Sequence, residues 1–232
     1  MKRSHLYAFL SLVVLMALPA SPQQPPAGLI FGSVQDAAGK PLIGYPVLID
    51  SRPSAEYPAG AFRTVVKTTS EGAFSLTGAP DGTYSVCPFP LGSAELPPCN
   101  WGDEPRVTIR NRGWAALPPI KIQTAVDFYV RVNDNKGVRD AHEGKDAGTA
   151  LVLNVVSPNG RMFPVPLTAH DKNGYDHHLK VPAGADLVFQ AAGRGFAMSD
   201  ENGKGIDNAQ GLTKKVNIPP GQAQHKEIIN LQ

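Results

Sequence analysis

The chain has 232 residues, 42% hydrophobic and 18% charged, which is enough apolar content for a packed core and excludes wholesale disorder. Its 23 glycines and 22 prolines exclude a fold of long helices and predict many short strands joined by turns. The formal charge is +2, with no basic stripe to neutralise phosphates, so nucleic acid is a poor candidate partner.

Residues 1–20 read as a secretory signal peptide. Lys2 and Arg3 form a basic start, Leu6 to Leu18 is an apolar stretch broken only by Ser11, and Ala20 behind Pro19 offers a small residue for cleavage. An uncleaved anchor is the alternative, but a span needs roughly 20 apolar residues. No Cys lies near the cleavage region, which argues against a lipid anchor. No later segment reaches 18 consecutive apolar residues, so no membrane span is expected in the mature chain. The expected location is secreted or periplasmic, and no cofactor is called for.

After a Pro-rich leader at 21–28, a first half of about seven short strands is predicted. Strands are read at 29–35, 45–50, 62–69, 72–76, 83–86, 107–110 and 120–123, with turns at Asp36 to Gly39 and Pro80 to Gly82. Val34, Val47, Phe74, Leu76, Tyr84 and Val86 are the expected inward face. The second half begins near Thr124. Val126, Phe128, Val130 and Val132 alternate with polar or exposed positions, the pattern of a half-buried strand. Leu151 to Val156 is apolar on both faces and expected to be central. Pro164 and Pro166 demote 162–169 to an edge or bulged strand, and 187–190, 215–218 and 227–231 complete the set.

Cys87 and Cys99 form an even pair in an exported chain and are expected to be disulfide-bonded, closing a Pro-rich loop that cannot pair regularly with strands. The halves also share a spacing. Gly72, Pro80 and Gly82 recur as Gly174, Pro182 and Gly184, and Asp36-x-x-Gly39 recurs as Asp134-x-x-Gly137. Shared turn chemistry or a diverged tandem would each produce this; the similar half lengths favour the tandem. The expectation is an all-β chain of two tandem Greek-key-type β-sandwich modules (transthyretin-like or immunoglobulin-like) behind a signal peptide, at 29–123 and 124–232.

The run Gly32 to Val47, with its Asp36-x-x-Gly39-x-Pro41 core, resembles the carboxypeptidase regulatory-like domain family. Thr68 to Leu76 and Pro80 to Val86 are similar to that family's second signature, in the right order and at the right distance. The resemblance covers 29–88 well. It implies a transthyretin-like or prealbumin-like sandwich and a module that accompanies other functions without being catalytic itself.

Catalytic patterns are missing. No His-x-x-Glu exists for a zinc carboxypeptidase, and there is no Gly-x-Ser-x-Gly or Walker loop. The chain ends Ile229-Asn230-Leu231-Gln232, not in the Tyr-Arg-Gly-Ser type of tail found in transthyretin-like hydroxyisourate hydrolases. Asp200 to Gly205 has a calcium-loop flavour, but Lys204 stands where an oxygen ligand is needed. One polar cluster remains, at His170, Asp171, Asp176, His177 and His178. His170, Asp176 and His177 would make a two-His, one-carboxylate metal set across a hairpin, whereas a solvated hairpin is the plainer reading. Trp101 and Trp114 offer either stacking surfaces for a glycan or protein partner, or lids over the sandwich ends. The leading expectation is a non-catalytic binding or assembly module with a protein or glycan partner, contacting it at a sheet edge or at the loop around Trp101. Carbohydrate binding through exposed aromatics and a metal enzyme at His170 are the alternatives.

Overall fold

The computed structural model describes residues 28–55, 58, 61–92, 94–139, 150–207 and 210–232. The expected signal peptide and most of the leader lie outside them. The first half contains β1 (Gly28–Gln35), β2 (Pro46–Ser51), β3 (Phe62–Lys67), β4 (Ala73–Ala79), β5 (Gly82–Pro88), β6 (Glu95–Leu96), the short helix α1 (Pro98–Trp101), β7 (Arg106–Ile109), β8 (Trp114–Ala116) and β9 (Ile120–Lys121). The second contains β10 (Gln123–Asn133), β11 (Ala150–Val156), β12 (Met162–Pro164), β13 (Leu167–Asp171), β14 (Gly174–Pro182), β15 (Asp186–Arg194), β16 (Met198–Asp200), β17 (Gly205–Ile206), β18 (Leu212–Asn217) and β19 (Gln224–Leu231).

These strands build two sandwiches with the same wiring. In the first, β4-β1-β8 packs over β3-β2-β5-β7, and β9 continues beside β1. In the second, β14-β10-β19 packs over β12-β11-β15-β18, and β13, β16 and β17 widen the former sheet. Thus β1 and β10 play one role: each is antiparallel to one neighbour and parallel to the other. The protein is all-β, as its breaker-rich composition predicts.

The recurrent spacing has a physical cause. Gly72 and Gly174 both have positive φ, 71° and 151°, and a Cβ on either would strike the carbonyl of the neighbouring strand, Val34 O at 2.8 Å or Val132 O at 2.0 Å. Two positions after each of those valines, Asp36 and Asp134 accept backbone N–H bonds from the turn that follows, while Gly39 and Gly137 donate back to them.

Period-2 patterning places the cores. Ile30, Val34, Val47, Ile49, Phe74, Tyr84 and Val86 are buried in the first cluster, with Leu76 at its margin. Tyr84 keeps its hydroxyl satisfied by donating to Pro80 O at 2.6 Å. Val126, Phe128, Val130 and Val132 fill the second cluster with Val155, Phe189 and Ile229, and the Phe128 and Phe189 rings lie 5.6 Å apart. Each such side chain contributes about 1.5–3 kcal/mol on burial.

The edge character expected of 162–169 is borne out, but the segment is two edge strands rather than one, because the chain leaves one sheet at Val165-Pro166 and joins the other: β12 pairs with β11, and β13 with β14. β11 is central, yet Val152 on its outer face is 47% exposed. The hairpin read through Lys172 to Gly174 is present as β13 and β14, but 174–182 is absent from the expected strands, and β14 runs nine residues inside the sheet. Its Tyr175, His177 and Val181 face the core while Asp176, His178 and Lys180 face outward, so its polar residues disguise an ordinary alternation.

Candidate functional site

The two tryptophans have opposite fates. Cys87 and Cys99 are disulfide-bonded, and the bridge fixes α1, whose helical turn starts at Pro98 and is closed by Gly102 N donating to Pro98 O at 2.7 Å. The loop is therefore partly helical rather than wholly irregular. Its last helical residue, Trp101, is only 4% exposed and belongs to the core of the second sandwich, not the first. Its ring stacks on Phe163 of β12 with centroids 4.0 Å apart. Around it, Arg161 donates to Cys99 O and Asn159 to Gly102 O, both from the turn between β11 and β12. β6 pairs with the start of β10. The loop around Trp101 thus ties the sandwiches together, and the ring expected to meet a partner is withdrawn from solvent.

Trp114 is 72% exposed, and Phe31 beside it is 36% exposed. Their centroids are 6.0 Å apart and their planes 34° apart. β8 places Trp114 opposite Leu29, and across β1 the exposed hydroxyl residues Ser75 and Thr77 stand opposite Phe31 and Leu29. This face of a hydrogen-bonded sheet therefore carries an apolar centre with a hydroxyl margin. Phe31 was missed by sequence reasoning, although its alternation with the buried Ile30 marks it as outward.

The His/Asp cluster is divided between the two faces of the β13–β14 hairpin. His170 lies opposite Tyr175 and stacks on it at 6.0 Å, whereas His177 lies opposite Leu167. Asp176, on the other face, pairs with Arg131 at 3.0 Å, and Arg131 also holds Asp171 at 2.9 Å. His178 and Lys180 both reach Asp127, at 2.7 and 2.8 Å. Hydrogen bonds from Lys180 and then His178 hold the Asp127 carboxyl below the usual range. Among the described residues no group of three His, Cys, Asp or Glu is placed to hold a metal. Asp200, the calcium-loop candidate, instead closes a hairpin, accepting N–H bonds from Asn202 and Lys204.

His177 is buried, and its Nδ1–H donates to Val165 O at 3.0 Å. Burial pushes the imidazole below its ordinary 6.5, with Arg139 adding to the effect while the Val165 bond and Asp176 oppose it. The unfolded chain binds a proton that the folded site refuses, so this contribution is complete above about pH 6.5 and is lost as pH falls below it. Denaturant midpoints from about pH 7 to pH 5 should fall for the native chain and fall less for His177→Leu. Equal slopes would contradict this assignment.

A second buried ionic group escaped sequence reasoning. Glu227 is 4% exposed and receives Lys214 Nζ at 2.9 Å and His225 Nε2 at 2.7 Å. Its signal was its phase: it alternates in step with the buried Ile229 and Leu231.

No protein-family model matches the chain, and no curated protein matches it. Solved structures with some likeness include the Bacillus anthracis TIE protein (16% identity, 89% of this chain and 34% of that one, TM-score 0.32). Others are a streptococcal ancillary pilin (9%, 90% and 63%, TM-score 0.36) and the minor pilin GBS52 of Streptococcus agalactiae (10%, 89% and 97%, TM-score 0.40). The chain spans about a third of the length of the first and under two thirds of the second. The class defined by the fold itself is a disulfide-bearing double β-sandwich, in which no helix among the described residues is long and apolar enough to cross a membrane.

Proposed function

We propose that this chain is an exported, non-catalytic binding module of two sandwiches, 29–123 and 124–232, which engages a partner outside the cytoplasm through the Phe31–Trp114 face. Export is supported by the character of residues 1–20 and by the disulfide, a bond that persists in oxidising compartments. The carboxypeptidase regulatory-like resemblance of residues 29–88 fits a module that serves other functions. The observation that carries the reading is Trp114 at 72% exposure beside Phe31. A large ring held in water on a rigid sheet is poised to gain free energy on being covered.

The occupant that fits best is a saccharide. Two neighbouring rings offer apolar faces to sugar C–H groups, and Ser75 and Thr77 offer hydroxyl partners at the margin. A protein partner is the second reading, favoured by Leu29, which extends the apolar centre next to Trp114.

A glycan array probed with the native chain and with Trp114→Ala tests the proposal. The native chain should retain at least one oligosaccharide class. Trp114→Ala should lose about 2 kcal/mol, roughly thirtyfold, of that affinity, with folding stability changed by no more than about 0.5 kcal/mol. Capture of a protein through Trp114 with no glycan signal would put the second reading first. Binding insensitive to Trp114→Ala would overturn the surface itself.

A further inference from the structure

On the opposite side of the first sandwich, a polar hollow of about 440 Å³ opens at the seam between the halves. Its floor is the outer face of β2, β5 and β7, where Asp50, Ser85 and Arg106 stand in one cross-strand row. Arg52 and Ser54 rise at the end of β2, and Arg161 leans in from the second sandwich. The site is therefore complete only when both halves are in place.

The charges in the hollow are unevenly matched. Arg106 commits Nε and Nη2 to Glu104, at 3.1 and 2.6 Å, and Ser85 donates to the same carboxylate. Asp50 has Arg63 at 3.9 Å. Arg161 spends Nη1 on Cys99 O, which fixes its orientation and leaves its other donors open. Arg52 is exposed, and among the described residues neither it nor Arg161 lies within ion-pair distance of a carboxylate, although hydrogen bonds from Ser85 and Arg106, and then the charge of Arg161, help hold Glu104 below the usual carboxylate range. Two guanidiniums thus present unused N–H forks to one small space, the arrangement that holds a carboxylate.

We propose that this hollow binds a hexuronate unit of an acidic polysaccharide, its carboxylate held by Arg52 and Arg161 and its hydroxyls by Asp50, Ser54 and Thr83. The lining sets Arg52, Arg106 and Arg161 against Asp50 and Glu104, which leaves one positive charge to match a single carboxylate and not a doubly charged phosphate. Among the described residues Pro53 is the one apolar side chain in the lining, so they offer a peptide carboxylate no apolar socket for its side chain. The hydroxyl-rich floor suits a sugar. The site is separate from the Phe31–Trp114 face, which lies on the other sheet of that sandwich.

Calorimetric titration of the full chain with trigalacturonate, and with its methyl ester as the uncharged counterpart, tests the proposal. The acid should bind, and the ester should bind at least tenfold more weakly. Arg52→Glu should weaken the acid at least tenfold with an unchanged melting temperature, since that side chain is exposed. Arg161→Ala should weaken it similarly, while Trp114→Ala should leave it unaltered. No heat with trigalacturonate, equal binding of acid and ester, or indifference to both arginine variants would overturn the assignment. Loss in Trp114→Ala with retention in Arg52→Glu would also overturn it, by placing the acid on the aromatic face.

Discussion

Replacing Trp101 with Ala should destabilise the chain by about 3–5 kcal/mol, the usual cost of deleting a buried large aromatic ring. The loss falls on the second sandwich although the residue belongs to the first half of the chain. Trp101 sits in the second core, stacked on Phe163. Trp101→Phe keeps an apolar ring in contact with Phe163 and should lose less. Denaturant titrations of the three proteins give the comparison. A Trp101→Ala cost below about 1 kcal/mol would show that the ring is not part of that core.

The second large effect concerns the bridge. Changing Cys87 and Cys99 together to Ser should cost about 3 kcal/mol, by releasing a loop with a sequence separation of 12. Bridge and ring act on one element, since the disulfide anchors α1 and α1 carries Trp101 inward. Their losses should therefore not add. Combining Cys87→Ser and Cys99→Ser with Trp101→Ala should cost less than the sum of the separate effects, by about 0.5–3 kcal/mol. Strict additivity would mean that the disulfide stabilises the first sandwich alone.

The architecture was legible wherever alternation was clean. The four valine and phenylalanine positions of β10 and the Pro-marked edges at 162–169 could be placed because each rests on local geometry: the pleat, or the missing N–H of proline. The Gly72 and Gly174 recurrence was visible too, and its cause, a glycine pressed against the neighbouring strand, emerged with the fold. β14 was missed because Asp176, His178 and Lys180 find ionic partners on β10, so an interior strand carries a polar outer face. Trp101 was misjudged for a different reason. No local pattern reports that a loop from one sandwich completes the core of the next. The arginine hollow is likewise assembled from residues more than 100 positions apart, Arg52 and Arg161, and carries no sequence motif.

The two tryptophans divide between a buried one that fastens the halves and an exposed one that, in the proposed function, faces the partner. The chain contains only these two, so fluorescence quenching by acrylamide in Trp101→Phe and Trp114→Phe reads each ring alone. Emission from Trp114 should be red-shifted and strongly quenched, and emission from Trp101 blue-shifted and shielded. Equal quenching of the two, or a shielded Trp114, would contradict the account.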